Sequence, residues 1–280
     1  MKAKVMFSII IAVRNGAETL RQSIESVAGQ TFQSRELIVI DGASTDGTLD
    51  VIAACEPAIT YWSSEPDRGI YQAWNKALAR ANGEWHWFLG ADDFLVSADV
   101  LANVAMLLAE VPRDVHVAYG RVHNIAWDGT YLYSRGEDWA KIGRRYKQQM
   151  TIPHQGVLHR RSLFEKHGVF DESFEIAGDY ELLLRELKSG TATYLPLDVT
   201  AMRQGGLSGD LSKSLTILRE VRTAQLRNGL IWPGAYWLSA VLRAWIRILI
   251  WSLLPEKTAR GLLDFGRRIL GAPPHWTKTK

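Results

Sequence analysis

Over the first 90 residues, short apolar runs alternate with segments whose apolar residues recur at helical spacing. The runs at residues 7–13, 37–40 and 85–90 are nearly continuous, as in strands that are covered on both faces. Between the first two runs, residues 20–27 carry an apolar stripe typical of an amphipathic helix. Strands that alternate with helices in this order predict an α/β fold with a mostly parallel sheet flanked by helices.

Acidic residues follow two of the predicted strands. Asp41 ends the second strand, and Asp92 and Asp93 follow the run at 85–90. Ligands of such sheets bind beyond the carboxyl ends of the strands, so we expect these acids to face one crevice. Neighbouring carboxylates repel unless a cation lies between them, and hard oxygen ligands suit Mg²⁺ or Mn²⁺ shared with a phosphate. Alternatively, the pair occupies a turn or a helix cap, where Asp is common.

The sequence lacks the motifs of two common nucleotide-binding sites, the dinucleotide-binding glycine turn and the P-loop. The first turn, Arg14-Asn15-Gly16-Ala17, has no Gly-x-Gly-x-x-Gly pattern to bring a backbone close to a pyrophosphate. The chain also has no Gly-Lys-Ser/Thr loop. These absences argue against a dinucleotide-dependent oxidoreductase and a P-loop enzyme, and leave a cation at Asp92-Asp93 as the candidate for neutralising phosphate.

Short motifs follow one another along the first three quarters of the chain. They are the segments 8–15, 30–32, 39–48, 64–71, 75–76, 90–93, 153–156, 170–172 and 177–180. In their order and spacing, these motifs resemble those of family 2 inverting glycosyltransferases with the GT-A fold, which build bacterial surface polysaccharides. The resemblance covers roughly residues 6–210.

The resemblance implies a donor site at the carboxyl ends of the strands. Asp41 would contact the nucleotide base beside the backbone of Ala12, Val13 and Arg14, while Asp67 and Asn75 would line the nucleotide-sugar site. Ala91, Asp92 and Asp93 would form the metal motif, with Asp93 on Mn²⁺ or Mg²⁺ and Asp92 near the ribose or sugar. The family-level expectation for the donor is a UDP-sugar.

The resemblance also implies residues for the transfer step. Asp179 would be the general base, although Gly178 stands where many relatives have an acidic residue, and Asp179 could instead only cap a helix. Arg203, with Gly205 and Gly206, resembles the loop that closes over the diphosphate, but could be a surface arginine in a turn. His154 could contact the acceptor or a phosphate, or be a polar core residue.

The end of the chain differs from the rest in charge and hydropathy. Residues 211–280 hold 12 Lys/Arg against 3 Asp/Glu, a balance of +9, whereas the preceding residues hold 21 against 27, or −6. Residues 236–254 are apolar with three tryptophans, a composition that favours an interfacial membrane helix over nucleic-acid binding. We therefore predict a catalytic domain at 1–210 and a helical membrane-association region at 211–280. The alternative is a helix that packs on the fold or forms an oligomer contact.

Together these features predict a metal-dependent inverting enzyme that is peripherally attached to the inner membrane. It would transfer a sugar to a hydroxyl of a lipid-linked or polysaccharide-precursor acceptor at the cytoplasmic face. The single cysteine, Cys55, agrees with a reducing compartment. The alternatives are a nucleotide-binding oxidoreductase and a non-catalytic membrane adaptor with the same fold.

Overall fold

The computed structural model describes residues 5–203, 213–269, 271 and 277. Its strands are β1 (Phe7–Val13), β2 (Arg35–Asp41), β3 (Tyr61–Ser64), β4 (Trp85–Gly90), β5 (Phe94–Leu95), β6 (Val117–Ile125), β7 (Tyr131–Arg135), β8 (Val157–Arg160) and β9 (Thr193–Arg203). Its α-helices are α1 (Leu20–Ala28), α2 (Thr48–Cys55), α3 (Ile70–Leu78), α4 (Val100–Leu108), α5 (Trp139–Tyr146), α6 (Arg161–His167), α7 (Gly178–Leu187), α8 (Ser214–Arg227), α9 (Gly234–Leu253) and α10 (Glu256–Ile269).

All these strands belong to one sheet, which confirms the predicted α/β architecture. Its order is β3-β2-β1-β4-β8-β6-β9-β5, and β7 pairs with β6. The first four strands are mutually parallel, as predicted. Beyond them the sheet is mixed, because β8 runs antiparallel to both β4 and β6 while β9 runs parallel to β6.

Alternate residues of β1 enter two separate cores, since successive side chains of a strand point to opposite faces. Phe7, Ile9 and Ile11 pack in the core beneath α1, α2 and α4. Ile10 packs on the other face with residues of α3 and α7. Cys55 is a free cysteine buried in the first core, where it packs as a small apolar side chain.

The second half of the sheet departs from the sequence pattern in one respect. By sequence alone, residues 192–195 and 199–202 are predicted as two separate strands, whereas the structure joins them in the single strand β9, which begins at Thr193. The register between β6 and β9 shifts around Arg121, and this irregularity interrupts the apolar pattern. The sequence Trp-Asp-Gly-Thr at residues 127–130 is typical of a hairpin turn, and this turn joins β6 to β7 with Gly129 at a φ of +86°.

The helices after residue 213 attach to the sheet through α8. This helix packs on α7, and its buried Gln225 amide donates hydrogen bonds to the carbonyl oxygens of Lys147 and Gln148. In contrast, α9 and α10 leave much of their apolar surface exposed. The division into regions 1–210 and 211–280 stays a prediction, and residues 204–212 lie outside the described part of the chain.

Candidate active site

The carboxyl ends of three parallel strands meet at one edge of the sheet. Ala12 of β1 is in register with Gly90 of β4, and Val13 is in register with Asp41 of β2. The backbone that continues to Arg14 therefore lies between Asp41 on one side and the segment after Gly90 on the other. This placement follows from the short, continuous strands, because parallel strands in register end together.

Asp41 is fully buried, and both of its carboxylate oxygens accept hydrogen bonds. Oδ1 accepts from the Ser44 hydroxyl at 2.5 Å, while Oδ2 accepts from the Ser44 amide at 3.0 Å and from the Ser64 hydroxyl at 2.6 Å. The carboxylate therefore fixes the loop after β2 to the end of β3. Its contact with a nucleotide base stays a prediction.

Asp67 lies beside the same strand ends because Gly42 leaves room for it. A Cβ atom on Gly42 would lie 2.6 Å from Asp67 Oδ2 and 3.5 Å from the Cβ of Arg14. The other oxygen, Oδ1, accepts a hydrogen bond from the Gly69 amide at 3.1 Å. The structure thus brings Asp67 next to Arg14 at the open end of β1 and β2.

Asp92 and Asp93 fold back over Gly90 at the end of β4. A Cβ on Gly90 would lie 2.7 Å from Asp93 Oδ2 and 2.8 Å from Asp92 Oδ1, so only glycine leaves room for both carboxylates. Asp93 Oδ2 accepts a hydrogen bond from the Gly90 amide at 2.9 Å. Asp93 Oδ1 is buried and has no hydrogen-bond partner among the described residues.

The environment of this pair opposes negative charge. Burial, and then the Asp92 carboxylate, raise the pKa of Asp93 to about 8. Burial also raises the pKa of Asp92. A buried orphan oxygen beside a second carboxylate suits a hard divalent cation. No cluster of three His, Cys, Asp or Glu side chains suited to a metal occurs in the described ranges, so a cation here would need further ligands from substrate or water.

Arg203 closes one side of the acid pair from the end of β9. Its Nη1 donates to the Asp92 carbonyl oxygen at 3.3 Å, and its Nη2 donates to Gln22 Oε1 at 2.8 Å. The guanidinium also lies 5.5 Å from the centre of the Phe94 ring. Gly205 and Gly206, the partners predicted for it, lie outside the described residues.

His154 is buried between aromatic rings. Its ring centre lies 5.1 Å from that of Trp74 and 5.9 Å from that of Phe88. Burial lowers the pKa of His154, while the charge of Asp179 acts in the opposite direction, so the imidazole is neutral at pH 7. Its Nε2 is buried and has no hydrogen-bond partner among the described residues.

Asp179 is the second residue of α7 and is half-buried. Its Oδ1 accepts a hydrogen bond from the Tyr180 amide at 2.7 Å. The preceding Gly178 is required sterically, because a Cβ there would lie 2.8 Å from ring atoms of Tyr71. Any larger side chain at this position would meet the same ring.

Two residues near Asp179, Tyr71 and Glu220, have no role predicted from the sequence. The Tyr71 hydroxyl accepts from the Gly178 amide at 2.8 Å, and Glu220 of α8 accepts from backbone amides before α7. Asn75, expected to line the donor site, donates to the Phe170 carbonyl oxygen at 2.9 Å and to Glu172 at 3.1 Å. Tyr71 and Glu172 belong to motifs that the sequence analysis identifies, at residues 64–71 and 170–172. No local sequence pattern indicates the contact of Glu220 with the backbone before α7.

Comparison with known sequences identifies the family. The family model described as Glycosyl transferase family 2 matches residues 8–172. A PGL/p-HBAD biosynthesis glycosyltransferase of Mycobacterium bovis is 33% identical over 220 residues, which cover 75% of this chain and 81% of the relative. An uncharacterized glycosyltransferase of Mycobacterium tuberculosis is 34% identical over 180 residues, covering 64% of this chain and 67% of the relative.

Comparison with solved structures identifies the fold. TarS 1–349 of S. aureus in complex with UDP-GlcNAc matches with a TM-score of 0.60 and 18% identity, covering 78% of this chain and 66% of that one, so about a third of the TarS fragment has no counterpart. The mannosyltransferase PcManGT from Pyrobaculum calidifontis, in complex with GDP-Man and Mn²⁺, matches with a TM-score of 0.59 and 19% identity over 96% of this chain and 81% of that one. The predicted GT-A architecture is thus confirmed, and the chain belongs to glycosyl transferase family 2.

Proposed function

We propose that this glycosyltransferase moves a sugar from a UDP-sugar to an acceptor hydroxyl with inversion, using Mn²⁺ or Mg²⁺ held by Asp93 and Asp92. The observation that carries the proposal is the buried Oδ1 of Asp93, which lies beside a second carboxylate and has no hydrogen-bond partner in the described part of the chain. Burying a carboxylate oxygen without a partner, beside a second acid, is costly unless a ligand compensates for it.

The residues at the sheet edge divide the work of transfer. Asp41 and Asp67, with the backbone of residues 12–14, would hold the nucleoside. A bound cation would stabilise the negative charge that develops on the departing diphosphate. Arg203 presents a guanidinium, whose planar donors match phosphate oxygens, beside the acid pair.

Asp179 would accept the proton of the attacking hydroxyl. A carboxylate within hydrogen-bond reach of that hydroxyl can act as the base, and a single displacement at the anomeric carbon inverts its configuration. The start of α7 favours a charged carboxylate through the helix dipole. The neutral imidazole of His154, which feels the charge of Asp179, would accept or donate a hydrogen bond to the acceptor sugar.

Relatives narrow the donor and acceptor classes. One structural neighbour is in complex with UDP-GlcNAc and another with GDP-Man and Mn²⁺. These complexes support a nucleoside diphosphate sugar as the donor and a divalent metal as the cofactor. The mycobacterial relative is named for PGL/p-HBAD biosynthesis. For this chain we infer a lipid-linked or polysaccharide-precursor acceptor at the cytoplasmic face of the membrane.

The helices α9 and α10 support the membrane assignment. One face of α9 exposes bulky apolar side chains at helical spacing, namely Leu238, Leu242, Trp245, Leu249 and Leu253. By length and composition α9 could cross a membrane. Arg243 and Arg247 lie on the opposite side of α9 from this face, and two arginines would be costly within a single membrane span, so a helix lying on the membrane surface is favoured instead.

Binding and turnover of isosteric variants test the proposed chemistry. Calorimetry should detect Mn²⁺-dependent binding of UDP to the native protein, and Asp93→Asn should abolish it. Asp179→Asn should retain binding but lose transfer from UDP-GlcNAc, UDP-glucose or GDP-mannose, whichever is turned over. Asp128→Asn, in the exposed β6–β7 turn, is the matched control. Binding that ignores EDTA would refute the metal assignment, and binding without any transfer would favour the adaptor alternative.

Vesicle binding tests the membrane assignment separately. The native protein should co-sediment with vesicles of phosphatidylglycerol and phosphatidylcholine, and Trp245→Glu with Leu249→Glu should weaken this binding. Met106→Glu is the control, since Met106 is an exposed apolar residue on the distant helix α4. If native protein stays in the supernatant at low salt, the membrane assignment is wrong.

A further inference from the structure

The helix that carries Asp179 begins without a capping side chain of its own. Ala177 occupies the N-cap position, where Ser, Thr, Asp or Asn normally accepts from the free amides of the first turn. Such amides must find other partners, since unpaired backbone donors are costly when buried. Gly178 itself donates to the Tyr71 hydroxyl of α3.

The three backbone amides just before α7 are bound by one carboxylate of a distant helix. Glu220 of α8 accepts from the Glu175 amide at 2.8 Å, and from the amides of Ile176 and Ala177 at 2.9 Å each. Hydrogen bonds to a charged acceptor are about twice as strong as neutral ones. Three such bonds converge on the Glu220 carboxylate, and their donor amides lie two to four residues before Asp179.

Further contacts join α8 to the same segment. Lys213 forms an ion pair with Glu175 at 2.6 Å, and Arg227 pairs with Asp171. The Tyr71 hydroxyl also donates to the Ile176 carbonyl oxygen. Residues 175–178 are thus held from α3 on one side and from α8 on the other.

We propose that Glu220 is a positioning residue for Asp179, a proposal that rests on the assignment of Asp179 as the general base. It holds the backbone that leads into α7, so that the carboxylate faces the acceptor hydroxyl at a fixed distance. Misplacing a reacting group by 1 Å can lower a rate by roughly 100-fold. The first helix of the C-terminal region is therefore part of the catalytic apparatus, although the family match ends at residue 172.

The effect on the backbone is measured by amide hydrogen exchange in the full-length protein. Glu220→Ala should speed exchange at residues 175–177 by at least roughly tenfold, with Glu220→Gln in between because one acceptor oxygen remains. Arg227→Gln is the matched control, since it loses an ion pair from α8 to the same loop but none of these amide bonds. Unchanged exchange in a folded Glu220→Ala or Glu220→Gln protein would overturn the proposal.

The effect on catalysis is measured in a double-mutant cycle. The rate is followed as release of nucleotide from whichever nucleotide-sugar the native protein uses. Glu220→Ala should lower kcat roughly 10- to 100-fold with little change in donor KM or in UDP binding. Combined with Asp179→Asn, it should lower the residual rate no further. An equal loss in that background would show that Glu220 acts otherwise and overturn the proposal. Full activity of Asp179→Asn alone would refute the base assignment, whatever the exchange result.

Discussion

Replacing Gly178 by Ala should displace the start of α7, because the added methyl group has no room beside Tyr71. The new Cβ would lie 2.8 Å from two ring atoms of Tyr71, well inside the usual contact distance of about 3.5–4.0 Å. The ring cannot retreat, because it packs on Trp74 and Phe170 at centroid distances of 5.5 and 5.7 Å, and its hydroxyl is bonded to backbone on α7.

Overpacking of this kind costs about 1–3 kcal/mol in free energy of unfolding. For a domain of this size it corresponds to a decrease in Tm of roughly 2–4 °C per kcal/mol. The displaced helix start should also lower kcat, by up to roughly 100-fold, because Asp179 is the next residue.

Thermal unfolding and donor turnover together measure the two effects. Gly261→Ala is the control, since a Cβ on Gly261, in the exposed helix α10, would meet no atom within 4 Å. It should stabilise that helix by about 0.5–1 kcal/mol without affecting turnover. A Gly178→Ala protein that matches the native Tm and kcat would refute the steric reasoning.

Two further predictions concern pH. The pKa of Asp93 is raised to about 8 from its ordinary value of 3.8, so its ionisation should destabilise the metal-free protein as pH rises from about 4 to 8. Asp93→Asn should therefore raise Tm in EDTA at pH 8, less so at pH 5, and remove any stabilisation by Mn²⁺; an unchanged Tm at pH 8 would contradict this. Glu186 shows the opposite sign: burial alone raises its pKa, but hydrogen bonds from three basic side chains (Lys166, His167 and His116) lower it to about 2. Its stabilisation should be complete above pH 4.5 and lost as pH falls towards 2, and Glu186→Gln should cost about 1–2 kcal/mol at pH 7 after allowance for solvent around Lys166, measured by urea unfolding. A loss that is equally large at pH 3 would contradict the charge argument.

The sequence predicted the parallel half of the sheet well because its strands are local and continuous. Residues 7–13, 37–40 and 85–90 each follow a simple apolar pattern, and the acids after them mark where the strands end. The mixed half was harder to predict. The strand β9 is irregular against β6, so one strand reads as two short segments.

The candidate site shows the same division. The position of Asp92 and Asp93 beyond the end of β4 could be predicted because they follow a buried apolar strand, while their role in metal binding stays a prediction. The support of Asp179 could not, since Tyr71 and Glu220 lie 108 residues before it and 41 residues after it on other helices.

By itself, the sequence determined which residues alternate between strand and helix, where the acids stand, and that the end of the chain is basic and apolar. Only the tertiary structure decided which buried carboxylate oxygen has no partner within the described ranges, why residue 178 must be glycine, and which helix holds the segment that leads into α7. The physical reason is that strand patterns and charge are properties of neighbouring residues. Hydrogen bonds between distant helices depend instead on packing, which no local pattern encodes.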